Sequence, residues 1–350
     1  MKTLSILLLS LFSSVLLSQS DLDFHLNKAQ KLMDEENYSE AVHSLSKALE
    51  YKKEINNSYK IASLYLTRGI CKQKLKKYSE AEADMNMALN VSPEYLKAFD
   101  SKNSVYFESR QFDKIITNSS KALELNPKDT KFLEWMSQAY IEKREYDNAL
   151  IYTDSILNFI PDDISTLRLK GSILHRQKKY EPAIAIENLI LANKPNDPGA
   201  LLNRSINYAY IKEYEKAEND NNFAAKVDTS LLYVAYNNTA YFIKLKMKDY
   251  KGAIELFDKC LALKPDFAYA YSNRAFCKSQ LDDVSGALKD IQKSLDLDPN
   301  NSYAFKNYAI IKLKQNKKSE ACSYLKKANE KGYSIEYDEE VNDLLKANCN

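Results

Sequence analysis

The sequence predicts an all-α protein: a right-handed α-solenoid of about nine helix–turn–helix repeats, closed by a C-terminal capping helix. Three observations predict it. Pro93, Pro127, Pro161 and Pro195 stand 34 residues apart, and Pro265 and Pro299 resume that interval, with Thr229 in the intervening slot and two extra residues after it. Fifteen residues ahead of each slot but the last comes an aromatic: Tyr78, Phe112, Tyr146, Tyr180, Tyr214 and Tyr250. Small residues precede it by twelve (Ala81, Ala149, Ala183, Ala217, Ala253 and Ala287, with Ile115 as the exception) and by twenty-four (Gly69, Ser137, Gly171, Ser205 and Ala275, with Asn103 as the exception). A fixed period of this length is the mark of stacked supersecondary units, none of which can bury its apolar face alone.

Taken in order, residues 1–20 read as a signal peptide. Lys2 is the only charge, Leu4 to Leu17 is apolar apart from serines, and Ser18-Gln19-Ser20 supplies small residues for cleavage. The apolar run is shorter than the roughly 20 residues a membrane span needs. Cleavage after Ser20 is expected, no later stretch is apolar enough to cross a bilayer, and the mature chain is expected to be exported: periplasmic, envelope-associated or extracellular. The repeats are expected over 21–335, with units starting near 22, 62, 96, 130, 164, 198, 233, 268 and 302, and the cap over 336–350. Each unit holds two amphipathic stretches, such as Lys131 to Lys143 and Asp147 to Leu157. Asn126-Pro127, Ile160-Pro161 and Asp298-Pro299 end second helices, because the residue before proline resists the helical region. Pro182 instead suits a helix's first turn. Local distortion is expected at 53–61, where the first unit overruns the period by about six residues, and at 231–249.

The segments Tyr146-Asp147-Asn148-Ala149 and Leu125-Asn126-Pro127, in phase with these columns, resemble the tetratricopeptide repeat family. The resemblance covers nearly all of 21–333. It implies paired helices that cross at small residues and a concave groove lined by the first helix of each unit. It also implies a protein or peptide ligand in that groove. The run Ala321-Cys322-Ser323-Tyr324-Leu325-Lys326-Lys327-Ala328, with Gly332 and Cys349, resembles the C-terminal ends of many exported bacterial members of the family. That likeness implies a Cys322–Cys349 staple, with 339–347 folding back as a short helix; two free thiols are the alternative. Cys260 with Cys277 is a second candidate pair, while Cys71 and Cys277 occupy equivalent first-helix slots suited to small buried apolar roles.

Nothing in the sequence points to catalysis, a metal or a cofactor, and the chain is expected not to be an enzyme. Six glycines in 350 residues leave little material for phosphate-cradling loops, and the three histidines and five cysteines lack zinc-type spacing. His175 beside Arg176 reads as an exposed helical residue. Glu35-Glu36, Asp162-Asp163, Asp282-Asp283 and Glu339-Glu340 read as turn and helix-start acids. Asn118-Ser119-Ser120 and Asn237-Asn238-Thr239 fit the glycosylation triplet, in a sequence rich in asparagine throughout. Fifty basic against 48 acidic residues exclude the basic field that a nucleic-acid partner requires.

Projecting the first helices gives two surfaces. Units three to five offer charge, with Lys131, Glu134, Arg168 and Arg176 as candidate partner-binding residues. Glu108, Glu134 and Glu142 are expected to pair with Lys97, Lys131 and Arg168. Units six to nine offer Leu202, Tyr210, Tyr241, Tyr269, Phe276, Tyr303 and Ile310, interspersed with Asn273 and Lys306. Tyrosine brings large contact area and a polar tip, as interfaces favour. Tyr271-Ser272-Asn273-Arg274-Ala275 and Leu202-Asn203-Arg204-Ser205 resemble elements of the family's chaperone-tail clamp, but Tyr303 and Asn307 stand where its basic residues belong. The expected function is an exported, non-enzymatic scaffold that binds a protein or peptide. The alternative is a regulatory or assembly subunit of an envelope enzyme, secretion or transport complex.

Overall fold

The computed structural model describes residues 21–333 and 340–349. The expected signal peptide lies outside them. Among the described residues there are helices and turns and no strand. The helices are α1 (21–34), α2 (Tyr38–Glu50), α3 (Ser58–Lys74), α4 (Tyr78–Val91), α5 (Leu96–Glu108), α6 (Phe112–Leu125), α7 (Thr130–Glu142), α8 (Tyr146–Phe159), α9 (Ile164–Arg176) and α10 (Tyr180–Asn193). They continue as α11 (Pro198–Tyr210), α12 (Tyr214–Val227), α13 (Leu232–Asn238), α14 (Tyr250–Leu263), α15 (Ala268–Gln280), α16 (Val284–Leu297), α17 (Ser302–Lys314), α18 (Lys318–Glu330) and α19 (Glu340–Asn348). The chain forms two compact units, one ending at Thr166 and one starting at Leu167, within α9.

Inside each unit the same construction repeats. A first helix packs antiparallel-fashion on the second helix that follows it, as α3 does on α4, α11 on α12 and α15 on α16, and each pair packs on the next. The small-residue columns sit at these crossings: Ala81, Ala149, Ala183, Ala217, Ala253 and Ala287 are fully buried. Where the column breaks, a polar network fills the space. Buried Asn103 donates to Ser119 Oγ at 2.8 Å, and Asn118 donates to Asn103 Oδ1 at 2.7 Å and to the Phe99 carbonyl at 2.8 Å. A buried amide in such a site must be bonded, and it is. Asn118 is therefore committed to the core, which the glycosylation triplet did not foresee.

The turn inside each repeat rests on one left-handed residue. Glu36, Lys76, Arg110, Arg144, Lys178, Lys212, Lys248, Asp282 and Asn316 all have φ between 57° and 65°. The last helical carbonyls are satisfied across it: the Lys76 N–H donates to the Gln73 carbonyl and the Lys77 N–H to that of Lys72. This is the arrangement glycine normally serves, and here non-glycine residues adopt it in every repeat, which reconciles helical turns with so few glycines. Their spacing is 34 except from 36 to 76 and from 212 to 248, the two places where the period breaks. At the first break a short 3-10 turn, Lys52–Glu54, precedes α3. α3 opens at Ser58, ahead of the start expected near 62, and runs 17 residues behind an Asn57 cap. At the second, a 3-10 turn (Thr229–Leu231) leads into α13, which continues as π-helical Thr239–Lys244. The surplus residues are thus absorbed by retightening and widening of the helix, as π-bulges do.

The chain closes on α19. Cys322 and Cys349 are disulfide-bonded across 27 positions, with Cα atoms 5.6 Å apart. Val341, Leu344 and Leu345 lay α19 against Leu325, Ala328 and Tyr333. Cys71, Cys260 and Cys277 are free and buried. Burial pushes the Cys71 thiol up to about 11 and those of Cys260 and Cys277 up to about 12. Cys349→Ser is expected to lower the stability of the last repeat by about 3 kcal/mol, from the loop the bond closes. Hydrogen exchange in α18 and α19, with and without reductant, measures it; equal protection in both would show that apolar packing alone holds the cap.

Candidate protein-binding face

The second unit places its first helices side by side: α11 packs on the π-helical end of α13, and α15 on α17. That layer presents the aromatic residues. Tyr180 and Tyr210 stack with ring centres 4.6 Å apart, and Tyr210 meets Phe242 at 5.9 Å. Phe242 stands edge-on to Tyr241, Tyr241 reaches Tyr303, and Tyr303 touches both Tyr269 and Tyr333. The rings form one continuous ribbon from α10 to the residue that ends the last repeat. Edge-on and offset pairs of this kind hold each other in place, so the ribbon is preorganised. Tyr210 and Tyr269 remain 39% and 37% exposed and are its open rings.

Several expected site residues are not open on this surface. Leu202 and Asn273 are buried. Lys306 is buried too: its ammonium donates to Glu340 Oε2 at 3.0 Å and lies over the rings of Tyr303 and Tyr333. Phe276 is half-buried against Tyr250, and Ile310 is half-buried. Tyr210, Tyr241, Tyr269 and Tyr303 do come together. His175 is not an open helical residue: it is half-buried, its Nδ1 lies 2.7 Å from Asn207 Oδ1, and its ring meets Tyr180 and Tyr210 edge-on. Arg176 is exposed.

The charged half is wired differently from the pairing expected. Exposed Lys131 binds Asp100 at 2.6 Å, and the Trp135 indole N–H donates to the same carboxylate. Arg168 pairs with Asp197, Glu108 accepts from Gln73 at 2.6 Å, and Glu142 accepts from Gln138. Glu134 is exposed on α7. The acid pairs act as caps where α9 and α16 begin: Asp163 accepts from the Thr166 N–H, and Asp283 from the Gly286 N–H.

Sequence reasoning missed a recurring latch between helices. Arg68, Arg204 and Arg274 each grip an aspartate sixteen residues on, Asp84, Asp220 and Asp290, through two parallel hydrogen bonds of 2.6–2.9 Å. Each arginine spends its remaining nitrogen on the preceding second helix, at Ser46, Asn188 and Asp258 respectively. The guanidinium fork suits this bidentate grip. Arg204 and Arg274, noted as clamp-like, are therefore structural.

Stacked antiparallel helix pairs on a 34-residue period, crossing at small residues, make this a helical-repeat protein. Its fold is a solenoid of tetratricopeptide-type repeats, and residues 235–267 match the family model for the tetratricopeptide repeat. The chain is similar to the crystal structure of a tetratricopeptide repeat protein from Parabacteroides merdae, at 20% identity over 83% of this chain and 99% of that one, with a TM-score of 0.59. A further likeness is to Cut9–Hcn1, the APC/C hetero-tetramer, at 15% identity over 88% of this chain and 59% of that chain, with a TM-score of 0.49. The MamA protein is similar over 49% of this chain and 93% of its own, at 19% identity and a TM-score of 0.39. Comparison with curated proteins found no match. The fold suggests a protein-interaction scaffold, and no helix among the described residues is long and apolar enough to cross a membrane.

Proposed function

We propose that this chain is an exported, non-enzymatic scaffold that binds a protein or peptide partner on the first-helix face of its second unit. The observation that carries the reading is the continuous aromatic ribbon, with Tyr210 and Tyr269 left open along it. Large rings held in fixed positions lose little freedom on binding, which is why aromatic anchors dominate interface energetics. Export rests on the leader-like character of residues 1–20 and on the terminal disulfide, which suits an oxidising compartment.

The test is affinity capture from envelope extract with chain 21–350 as bait, beside a bait carrying Tyr210→Ala and Tyr269→Ala. Both rings are partly exposed, so the double variant is expected to keep its melting temperature within a few degrees. A partner held by the first bait and lost, or weakened at least about tenfold, by the second is the expected result. Equal capture by both baits would move the interface off the ribbon.

A further inference from the structure

Resting on that reading, we infer that the partner segment is acidic, with carboxylates interleaved among apolar or aromatic side chains. The first helices of the second unit, α9, α11, α13 with its π-helical continuation, α15 and α17, contain not one aspartate or glutamate, while α9, α11, α15 and α17 carry lysine or arginine and the continuation of α13 ends on Lys244. The first unit is different: α5 and α7 carry Asp100, Glu108, Glu134 and Glu142. In the second unit the acids among the described residues lie on second helices, connecting turns and the capping helix α19, so the first-helix layer bearing the ribbon is cationic on a chain of nearly zero net charge. Some of these cations are used internally, as in the arginine latches. Arg176 and Lys246 are not: both are exposed and neither has a carboxylate partner among the described residues. Lys246 lies 6.0 Å over the ring of Tyr210, and the end of α9 brings Arg176 next in sequence to His175, which packs on that ring.

The far end of the ribbon shows what such a layer accepts. Lys306 sits between Tyr303 and Tyr333, and Glu340 places its carboxylate there, taking a hydrogen bond from the ammonium at 3.0 Å and from the Tyr333 hydroxyl at 3.1 Å. A carboxylate seated on a lysine among tyrosine rings is thus already present, supplied by the chain's own C-terminal helix. A partner carrying the same chemistry would meet the exposed cations Lys246 and Arg176 beside Tyr210, and would meet Lys306 in competition with Glu340. Complementary charge of this kind sets partner choice and association rate more than it adds affinity.

The experiment uses chain 21–350 and three short fluorescent peptides, acetylated and amidated: alternating Glu–Tyr, alternating Gln–Tyr and alternating Lys–Tyr. Anisotropy is read at low and at physiological salt. The Glu–Tyr peptide is expected to bind at least about tenfold more tightly than the Gln–Tyr peptide, and the Lys–Tyr peptide not measurably. Salt should weaken the Glu–Tyr complex. The double variant Arg176→Gln with Lys246→Gln should bring its affinity towards that of Gln–Tyr, while Glu340→Gln, which vacates Lys306, should strengthen it severalfold. Thermal melts of all variants control for folding. Equal binding of the Glu–Tyr and Gln–Tyr peptides, with both lost in Tyr210→Ala plus Tyr269→Ala, would overturn the acidic partner and leave the ribbon as the interface. Failure of the Glu–Tyr peptide to bind, or binding indifferent to Arg176 and Lys246, also overturns the inference. Binding indifferent to the tyrosines overturns the underlying reading as well.

Discussion

Arg204→Leu is expected to destabilise the second unit by about 3 kcal/mol, the usual scale for removing one partner of a buried pair. Asp220 is buried, and Arg204 is its bidentate partner, at 2.7 and 2.8 Å. Without the guanidinium the carboxylate is left in the helix crossing with its charge uncompensated, and Asn188 on the preceding second helix loses its donor at 2.6 Å. The double variant Arg204→Met with Asp220→Leu should recover most of the loss, to within about 1 kcal/mol of the parent, because well-packed apolar residues replace a buried ion pair at little cost. The chain itself contains this exchange. In the last repeat the two corresponding slots hold Tyr308 and Tyr324, which stack with ring centres 4.1 Å apart. A double-mutant cycle read by thermal melting isolates the coupling. Single and double variants equally destabilised would mean that the arginine acts by packing its stem and not by its charge.

The architecture was legible because its determinants are local and repeated. Prolines, aromatics and small residues recur in phase, and helix termini and crossings follow from them within each repeat. The surplus residues near 53–61 and 231–249 were visible as breaks in the period, and both prove to be sites of 3-10 or π-helical winding. The left-handed turns left no trace, since Lys, Arg, Glu, Asp and Asn do there what glycine would advertise.

The binding face was legible only in part, because helical projection assigns a direction to a side chain and says nothing of what meets it. Lys306 projects towards the ribbon, yet its counter-ion is Glu340, thirty-four positions on in a separate helix. Leu202 and Asn273 project the same way and are covered by neighbouring helices. His175 appeared open beside Arg176, and two tyrosines from later helices close on it. The latch arginines did carry a signal, an aspartate sixteen residues on, but it occurs in only a few repeats and competes with a resemblance to a peptide clamp. The same intermittency hides the absence of acids from the second unit's first helices, which emerges only when those helices are compared as a set.

Glu187→Gln is expected to stabilise the second unit at alkaline pH and to leave it nearly unchanged at pH 5. Glu187 is 1% exposed, in a slot where other repeats place Met85, Phe257, Ile291 and Leu325. It fits because Gly171 faces it: a Cβ there would lie 2.9 Å from Glu187 Oε1. Its Oε2 is buried without a hydrogen-bond partner. Burial drives the carboxyl up from 4.5 to about 7, and Asp197 adds to the rise, while a hydrogen bond from Asn203 and the charges of Arg168 and Arg204 restrain it. An acid whose folded value is raised holds its proton longer in the folded chain than in the unfolded one. Stability therefore falls as pH climbs from 4.5 to about 7 and levels off above that. The interval corresponds to at most about 3 kcal/mol. Glutamine keeps the shape of the protonated acid and cannot ionise, so the gap between variant and parent should open across that window. Melting temperatures of both chains between pH 5 and pH 8.5, with hydrogen exchange in α9, α10 and α11, measure it; parallel pH profiles would show that Glu187 ionises without penalty. Arg204 links the two predictions. Removing its charge withdraws one of the restraints on Glu187, so Arg204→Leu should cost less at pH 5 than at pH 8, and Glu187→Gln should abolish that difference.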